Sequence, residues 1–173
     1  MRVVDIMLII PGIPLQIILA SYLGPSAWNI ILVIVIFGWV TVARVIRSQV
    51  LSIKQSLYVE LAVAIGASNF RIMFKHIMPN VIGLMIAYMA LNVAGAVYTE
   101  AGLSFLGLGD PIAPSWGKML HYAQVYGAFT RGLWWWMLVP GLCIMGVSLA
   151  TALIGNTIIE LSFQKELRDK LDE

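Results

Sequence analysis

Apolar residues in this 173-residue chain fall into four long blocks, at 3–23, 30–45, 81–97 and 133–154. Each approaches the roughly 20 residues that a helix needs to cross the hydrocarbon core of a bilayer, about 30 Å thick. Backbone groups in lipid find partners only within their own segment, so each block is expected to be a spanning helix. That argument overrides the local pattern at 31–37, a β-branched and aromatic run that would read as a strand in water. Pro11 and Pro14 each remove a donor from the first block, and a kink or widening is expected there.

Between the second and third blocks the pattern changes. The stretch 57–65 reads as a helix, and Gly66 can end it in a left-handed cap. Ser68 or Asn69 can N-cap a second short helix. In that helix Phe70, Met73, Phe74 and Ile77 recur at i, i+3, i+4 and i+7, which makes one apolar face. Arg71 and Lys75 lie on another face, and Pro79 is expected to limit the helix before the third span. Such a hairpin can lie on the membrane surface, pack on its own spans, or dock into a groove on a partner. The pattern alone does not choose among the three.

Composition agrees with a membrane protein. Hydrophobic residues make up 60% of the chain and charged residues 12%, with a mean hydropathy of +0.89. Soluble domains carry about 25% charged residues. The first block is not a signal peptide by pattern, because Asp5 and two prolines interrupt it and its apolar span exceeds the usual core of about 7–15 residues. Basic residues mark the cytoplasmic side. Arg44, Arg47, Lys54, Arg71 and Lys75 face a single Glu60 in the 44–78 connection (the loop proper being 46–79), against only Lys118 and Arg131 in 98–132. The first connection is therefore expected inside, the second outside, and both termini in the cytoplasm. Trp134, Trp135 and Trp136 open the fourth span as interfacial anchors. Ala87, Ala90 and Ala94 on the third span, and Gly146 and Ala150 on the fourth, offer small side chains for helix packing.

Candidate chemistry is sparse. A net charge of +2 without a basic patch argues against nucleic acid. One cysteine, Cys143, permits neither a disulfide framework nor a thiolate metal site, and reads as a small packing residue. His76 and His121 fall on opposite sides of the expected membrane, and His121 reads as an ordinary loop residue. Gly117 and Lys118 lack the upstream glycine and the Ser/Thr of a nucleotide-binding loop, so any ATPase is a separate protein. Glu100, at the outer end of the third span, either lines a pathway or holds the 103–109 turn by hydrogen bonds; the second reading is favoured because the backbone turns there and needs partners. Residues 158–173 read as a charged amphipathic tail, with Phe163, Leu167 and Leu171 on one side and a Glu166–Lys170 pair.

Several segments resemble one transporter family. Glu60, Ala62, Gly66 and Pro79 match the spacing of the EAA loop of ABC-importer permeases, with Leu61, His76 and Met78 departing from the usual residues. His76 to Asn80 (HIMPN) and Tyr58, Val59 and Glu60 are similar to the dipeptide, oligopeptide and nickel branch. So are 39–47 (WVTVARVIR), 100–109 (EAGLSFLGLG), Pro114 to Gly117 (PSWG), and Trp134 and Trp135 with Pro140 and Gly141. The resemblance covers residues 2 to about 156.

This resemblance implies an all-α polytopic helix bundle, a partial type I ABC importer transmembrane domain, over 1–157, with 158–173 as the tail. The 57–79 segment would be a coupling helix, carried by Glu60, Ala62, Gly66, Phe70, Met73, Phe74, Ile77 and Pro79. Glu100, Ser104, Phe105 and Trp116 would belong to the pathway or its external loop. Expected partners are ABC ATPase subunits that bind ATP and magnesium, a second permease in a heterodimer, an extracytoplasmic substrate-binding protein and the inner-membrane bilayer. No cofactor is expected in this chain, and it is not an enzyme. Peptides are the cargo the resemblance favours, with nickel, opines and oligosaccharides open. Family members have six spans, and Met1 to Asp5 resembles the start of the third, so counterparts of the first two are expected to be missing. A truncated, transport-incompetent fragment with a structural or inhibitory role is the alternative.

Overall fold

The computed structural model describes residues 2–171, with side chains through Leu161. All regular structure among the described residues is helical: α1 (Arg2–Ile9), α2 (Gly12–Leu23), α3 (Ala27–Lys54), α4 (Leu57–Ala64), α5 (Asn69–Arg71), a π-helical segment (Ile72–Ile77), α6 (Met78–Phe105), α7 (Trp116–Val125) and α8 (Trp135–Leu171). Three stretches are long and apolar enough to cross a membrane: Ala27–Lys54, Asn69–Phe105 and Trp135–Leu161. The pair α1 and α2 passes the same test together but is bent by 89°.

That bend refines the expectation for the first block. Pro11 sits in extended conformation ahead of α2 and ends α1. Pro14 lies within the first turn of α2, where a missing N–H has no intrahelical partner to lose, so it adds no kink. The strand-like run at 31–37 lies inside α3.

The chain forms two compact units. The first comprises Met1–Val40 and Asn92–Ala152, the second Thr41–Leu91 and Leu153–Glu173. In the first, Ala20, Ile30, Val33 and Leu103 make a buried cluster with Ile17, Phe37 and Leu108 packed against it. In the second, Ile53, Val59, Ala62, Ile72 and Val81 do so, joined by Ile46, Val50 and Ile77. Most other large apolar side chains on the long helices stay exposed, as lipid-facing surfaces do.

In the second unit α8 packs through Gly155, a residue the sequence pattern did not single out. A Cβ on Gly155 would come within 2.8 Å of Leu91 Cγ and 3.0 Å of the Ala87 carbonyl oxygen, and Ala87 is fully buried. Gly146 meets nothing within 4 Å, and Ala150 is exposed. Cys143 is half-buried and free. The α8 backbone continues unbroken through the predicted tail to Leu171. The expected Phe163, Leu167 and Leu171 face and the Glu166–Lys170 pair concern side chains outside the described residues.

Candidate functional site

Nearly all of the 46–79 connection is helical. α3 continues to Lys54, and its last turn closes through Ser56, whose hydroxyl donates to the Ile53 carbonyl at 2.6 Å. α4 then starts and buries Val59 and Ala62 against Ile53, Ile72 and Val81. Ala62 thus belongs to the packed core of this unit. Glu60, in the first turn of α4, is exposed.

The end of α4 takes the form expected of Gly66. Its φ is +80°, its N–H donates to the Val63 carbonyl, and the Ala67 N–H reaches back to the Ala62 carbonyl, each at 3.0 Å. These paired bonds make a Schellman turn, which needs a left-handed residue after the helix. Ser68 caps the next helix, its hydroxyl accepting from the Arg71 N–H at 3.4 Å.

Pro79 does not end that helix. Backbone from Asn69 to Phe105 runs continuously, with the π-helical turn at Ile72–Ile77 placed just before the proline. The Met78 N–H bonds to the Met73 carbonyl, five residues back. A proline ring collides with the carbonyl four residues before it in an α-helix, and a wider turn relieves that collision. Asn80 adds a side-chain bond from Nδ2 to the His76 carbonyl at 2.7 Å, and a second to Tyr58 Oη at 3.2 Å.

Because of that wide turn, the single apolar face expected from spacing is divided. Ile72 is buried and Ile77 packs beside it on the core. Phe70, Met73 and Phe74 stay exposed, at 71%, 42% and 47%, with the two phenylalanine rings 4.6 Å apart. Arg71, Lys75 and His76 form a third side. Facing them across an open groove of about 420 Å³ are Leu61, Ala62, Ile65 and Ala67, with Tyr58 completing the lining.

Glu100, Ser104, Phe105 and Trp116 all lie in the other unit, where Glu100 and Ser104 are in direct contact. Glu100 lies inside α6, a turn and a half before its end, and makes a hydrogen bond within the 103–109 segment as favoured for it. It accepts a hydrogen bond from the buried Ser104 hydroxyl at 2.6 Å. Gly107, with φ +85°, then closes α6 in a second Schellman turn. Ser115 caps α7, and Trp116 is its first, exposed residue. Gly117 explains why a glycine follows: a Cβ there would sit 2.4 Å from the Ala101 oxygen and 2.7 Å from the Ala101 Cα. Gly109 is equally tight, 2.4 Å from Ser104 Oγ.

Two residues fix this loop that the sequence reading missed. His121 is not an ordinary loop residue. It lies in α7, and its Nδ1 is 2.8 Å from the Phe105 carbonyl oxygen, satisfying the end of α6. Nothing in the local sequence announces that contact, since the two are 16 residues apart. Asp110 accepts from the backbone N–H groups of Ile112 at 2.8 Å, Ala113 at 3.1 Å and, from the first residue of α3, Ala27 at 3.3 Å. These bonds hold its carboxyl below the usual carboxylate range, the Ile112 N–H contributing most, with Lys118 adding a smaller attraction. An aspartate before proline is a turn signal that could have been read. The bond from Lys118 Nζ to the Pro111 carbonyl braces the same turn. No group of three or more His, Cys, Asp or Glu residues suited to a metal occurs among the described residues.

Comparison with known proteins places these features. Residues 1–163 match the family described as binding-protein-dependent transport system inner membrane component. The chain is 43% identical over 121 residues to the oligopeptide transport system permease protein OppC of Bacillus subtilis, covering 69% of this chain and 39% of that protein. It is 37% identical over 172 residues to the dipeptide transport system permease protein DppC of Alkalihalophilus pseudofirmus, covering 99% and 53%. It is 34% identical over 173 residues to the glutathione transport system permease protein GsiD of Salmonella paratyphi A, again covering 99% and 53%. The chain spans about half the length of the curated relatives it matches.

Proposed function

Since the chain belongs to the family of binding-protein-dependent transport system inner membrane components, we propose that it serves as a permease subunit of an ABC importer for peptides. It is an all-α, multi-pass inner-membrane protein of the type I importer transmembrane class, with apolar helices of spanning length. In the proposed role its spans form part of a translocation pathway beside a second permease, an extracytoplasmic binding protein delivers the cargo, and separate ATPase subunits bind ATP and magnesium. Peptide cargo rests on the relatives named above, two of which carry oligopeptide or dipeptide in their names.

One observation carries the coupling role: the exposed Phe70, Met73 and Phe74 on a hairpin that continues without a break into a span. Helix-in-groove docking uses such clustered apolar anchors, and aromatic ones dominate the binding energy. An ATPase groove that engages them would pull on α6 through continuous backbone, since the π-helical turn carries the helix past Pro79. Gly66 sets the angle between α4 and this helix. The excess of basic residues in 44–78 supports a cytoplasmic hairpin, and both termini are proposed on the same side.

The test is co-purification of the full chain with its ATPase subunit from membranes. Phe70→Ala with Phe74→Ala should weaken retention at least about tenfold, as removal of hot-spot anchors does, while insertion stays normal. Undiminished retention would show that this face is not the docking element. Thiol labelling from either side, with single cysteines at Ser68 and Thr130 in a Cys143→Ser background, checks the orientation. Label reaching Ser68→Cys only from outside would reverse it.

A further inference from the structure

The two carboxylate oxygens of Asp110 have separate duties. Oδ1 accepts from the N–H groups of Ile112 at 2.8 Å and Ala113 at 3.1 Å, and these bonds shape the turn that Asp110 opens. A turn of this kind needs one side-chain oxygen only. Oδ2 instead accepts from the Ala27 N–H at 3.3 Å, 83 residues away in sequence. Ala27 is the first residue of α3, so its N–H has no intrahelical partner. A carboxylate at that end of a helix is also favoured by the aligned peptide dipoles.

The loop that carries Asp110 is locked to the end of α6. Leu108 packs against the buried cluster of Ala20, Ile30, Val33 and Leu103. His121 of α7 reaches the Phe105 carbonyl at 2.8 Å, and a Cβ on Gly117 would collide with the backbone of Ala101. Any displacement of the end of α6 therefore moves the loop with it. Between α3 and α6 the apolar contacts at Ile30, Val33 and Leu103 have no preferred direction, so they permit sliding. A hydrogen bond weakens steeply with angle and distance, and it fixes the register at one point.

We propose that Asp110 is a positioning residue for transport: its Oδ2 pins the start of α3 to the loop carried by the end of α6, so that α3 follows when α6 is displaced. The proposal rests on the permease reading above. It calls for a carboxylate specifically. Asparagine would keep its oxygen on the two turn N–H groups and present its amide nitrogen, a donor, to the Ala27 N–H. The turn would survive and the tether would not.

The experiment uses the full chain in proteoliposomes with a second permease, ATPase subunits and a binding protein. It follows import of labelled tripeptides as the loaded binding protein is titrated, with amide exchange read on the same complex by mass spectrometry. Asp110→Asn should speed exchange over 27–30 about two- to tenfold, the range of one hydrogen bond, and leave 110–113 unchanged. The maximal import rate should fall over the same range, while the KM for the binding protein and retention of the ATPase stay at wild-type values. Ala27→Pro removes the donor instead, at a first helical position that proline tolerates, and should give the same loss of import. Lys118→Met removes the Lys118–Pro111 brace within the loop but not the tether, and should import normally. Unchanged exchange over 27–30 in Asp110→Asn would overturn the proposal, as would normal import by Ala27→Pro. So would an equal loss in Lys118→Met or a raised KM in Asp110→Asn, either of which would mean that the whole loop had been disturbed. A wild-type complex that imported no peptide would sink the permease reading and the transport role of Asp110 with it. Import by wild type and by both tether variants alike would sink the tether alone.

Discussion

Gly117→Ala and Gly102→Ala add the same methyl group to helices of the same unit, and the structure gives them opposite signs. At Gly117 the new Cβ would lie 2.4 Å from the Ala101 oxygen, 2.7 Å from its Cα and 2.8 Å from Ser104 Cβ. Real Cβ contacts essentially never fall under 3.0 Å, and two of these three atoms are backbone, so α7 must retreat from α6. Overpacking of this kind costs about 1–3 kcal/mol. The movement also strains the bond from His121, four residues along α7, to the Phe105 carbonyl. At Gly102 nothing lies within 4 Å, so alanine adds only its helix propensity, a gain of about 0.8–1 kcal/mol. For a chain of this size 1 kcal/mol moves the midpoint by roughly 2–4 °C. Thermal unfolding in detergent at a matched scan rate should therefore lower the apparent Tm by roughly 3–10 °C for Gly117→Ala and raise it by about 2–4 °C for Gly102→Ala. Equal shifts in both variants, or a Gly117→Ala midpoint within a degree of wild type, would refute the close approach of α7 to α6.

The other predictions concern the hairpin and the loop. Gly66→Ala should weaken ATPase retention and Gly66→Asn much less. The site has open space for a side chain but a φ of +80°, which costs alanine about 1–2 kcal/mol and which asparagine tolerates; equal effects of the two would point to steric occlusion instead. Asn80→Ala should loosen the junction before α6, seen as faster amide exchange across 72–80 by mass spectrometry, because both side-chain bonds of Asn80 disappear; unchanged exchange would remove it as a brace. Asp110 titrates below its ordinary value of 3.8. The stabilisation of its turn is therefore complete above about pH 4 and is lost as pH falls through the lowered value. Protection of the 110–118 segment should be flat from pH 7 to about 5, drop in stronger acid, and show no such step in Asp110→Asn; a step near neutrality would contradict the assignment.

Much of this protein follows from one-dimensional pattern. Apolar block length anticipated three helices of spanning length, because lipid offers the backbone no other partner, but not the 89° bend that divides the first block into α1 and α2. Gly66 and Ser68 were legible as cap and cap partner, because those roles depend on φ and on a side-chain oxygen next to the helix start. Six ordered motif segments pointed to the family that the comparisons identify. Pattern failed where the outcome depends on what lies across space. Spacing placed Phe70, Met73, Phe74 and Ile77 on one face, but Pro79 forces a π-helical turn, and that turn sends Ile77 to the core and leaves the aromatic residues exposed. Composition suggested Gly146 and Ala150 for helix packing on α8, whereas Gly155 lies against Leu91 and the expected Ala87 of α6, because rotation of α8 is set by its contacts and not by its own sequence. His121 and Asp110 owe their roles to carbonyl and N–H groups 16 and 83 residues away. Hydrogen bonds of that range exist only after the helices have packed, so only the tertiary structure could assign them.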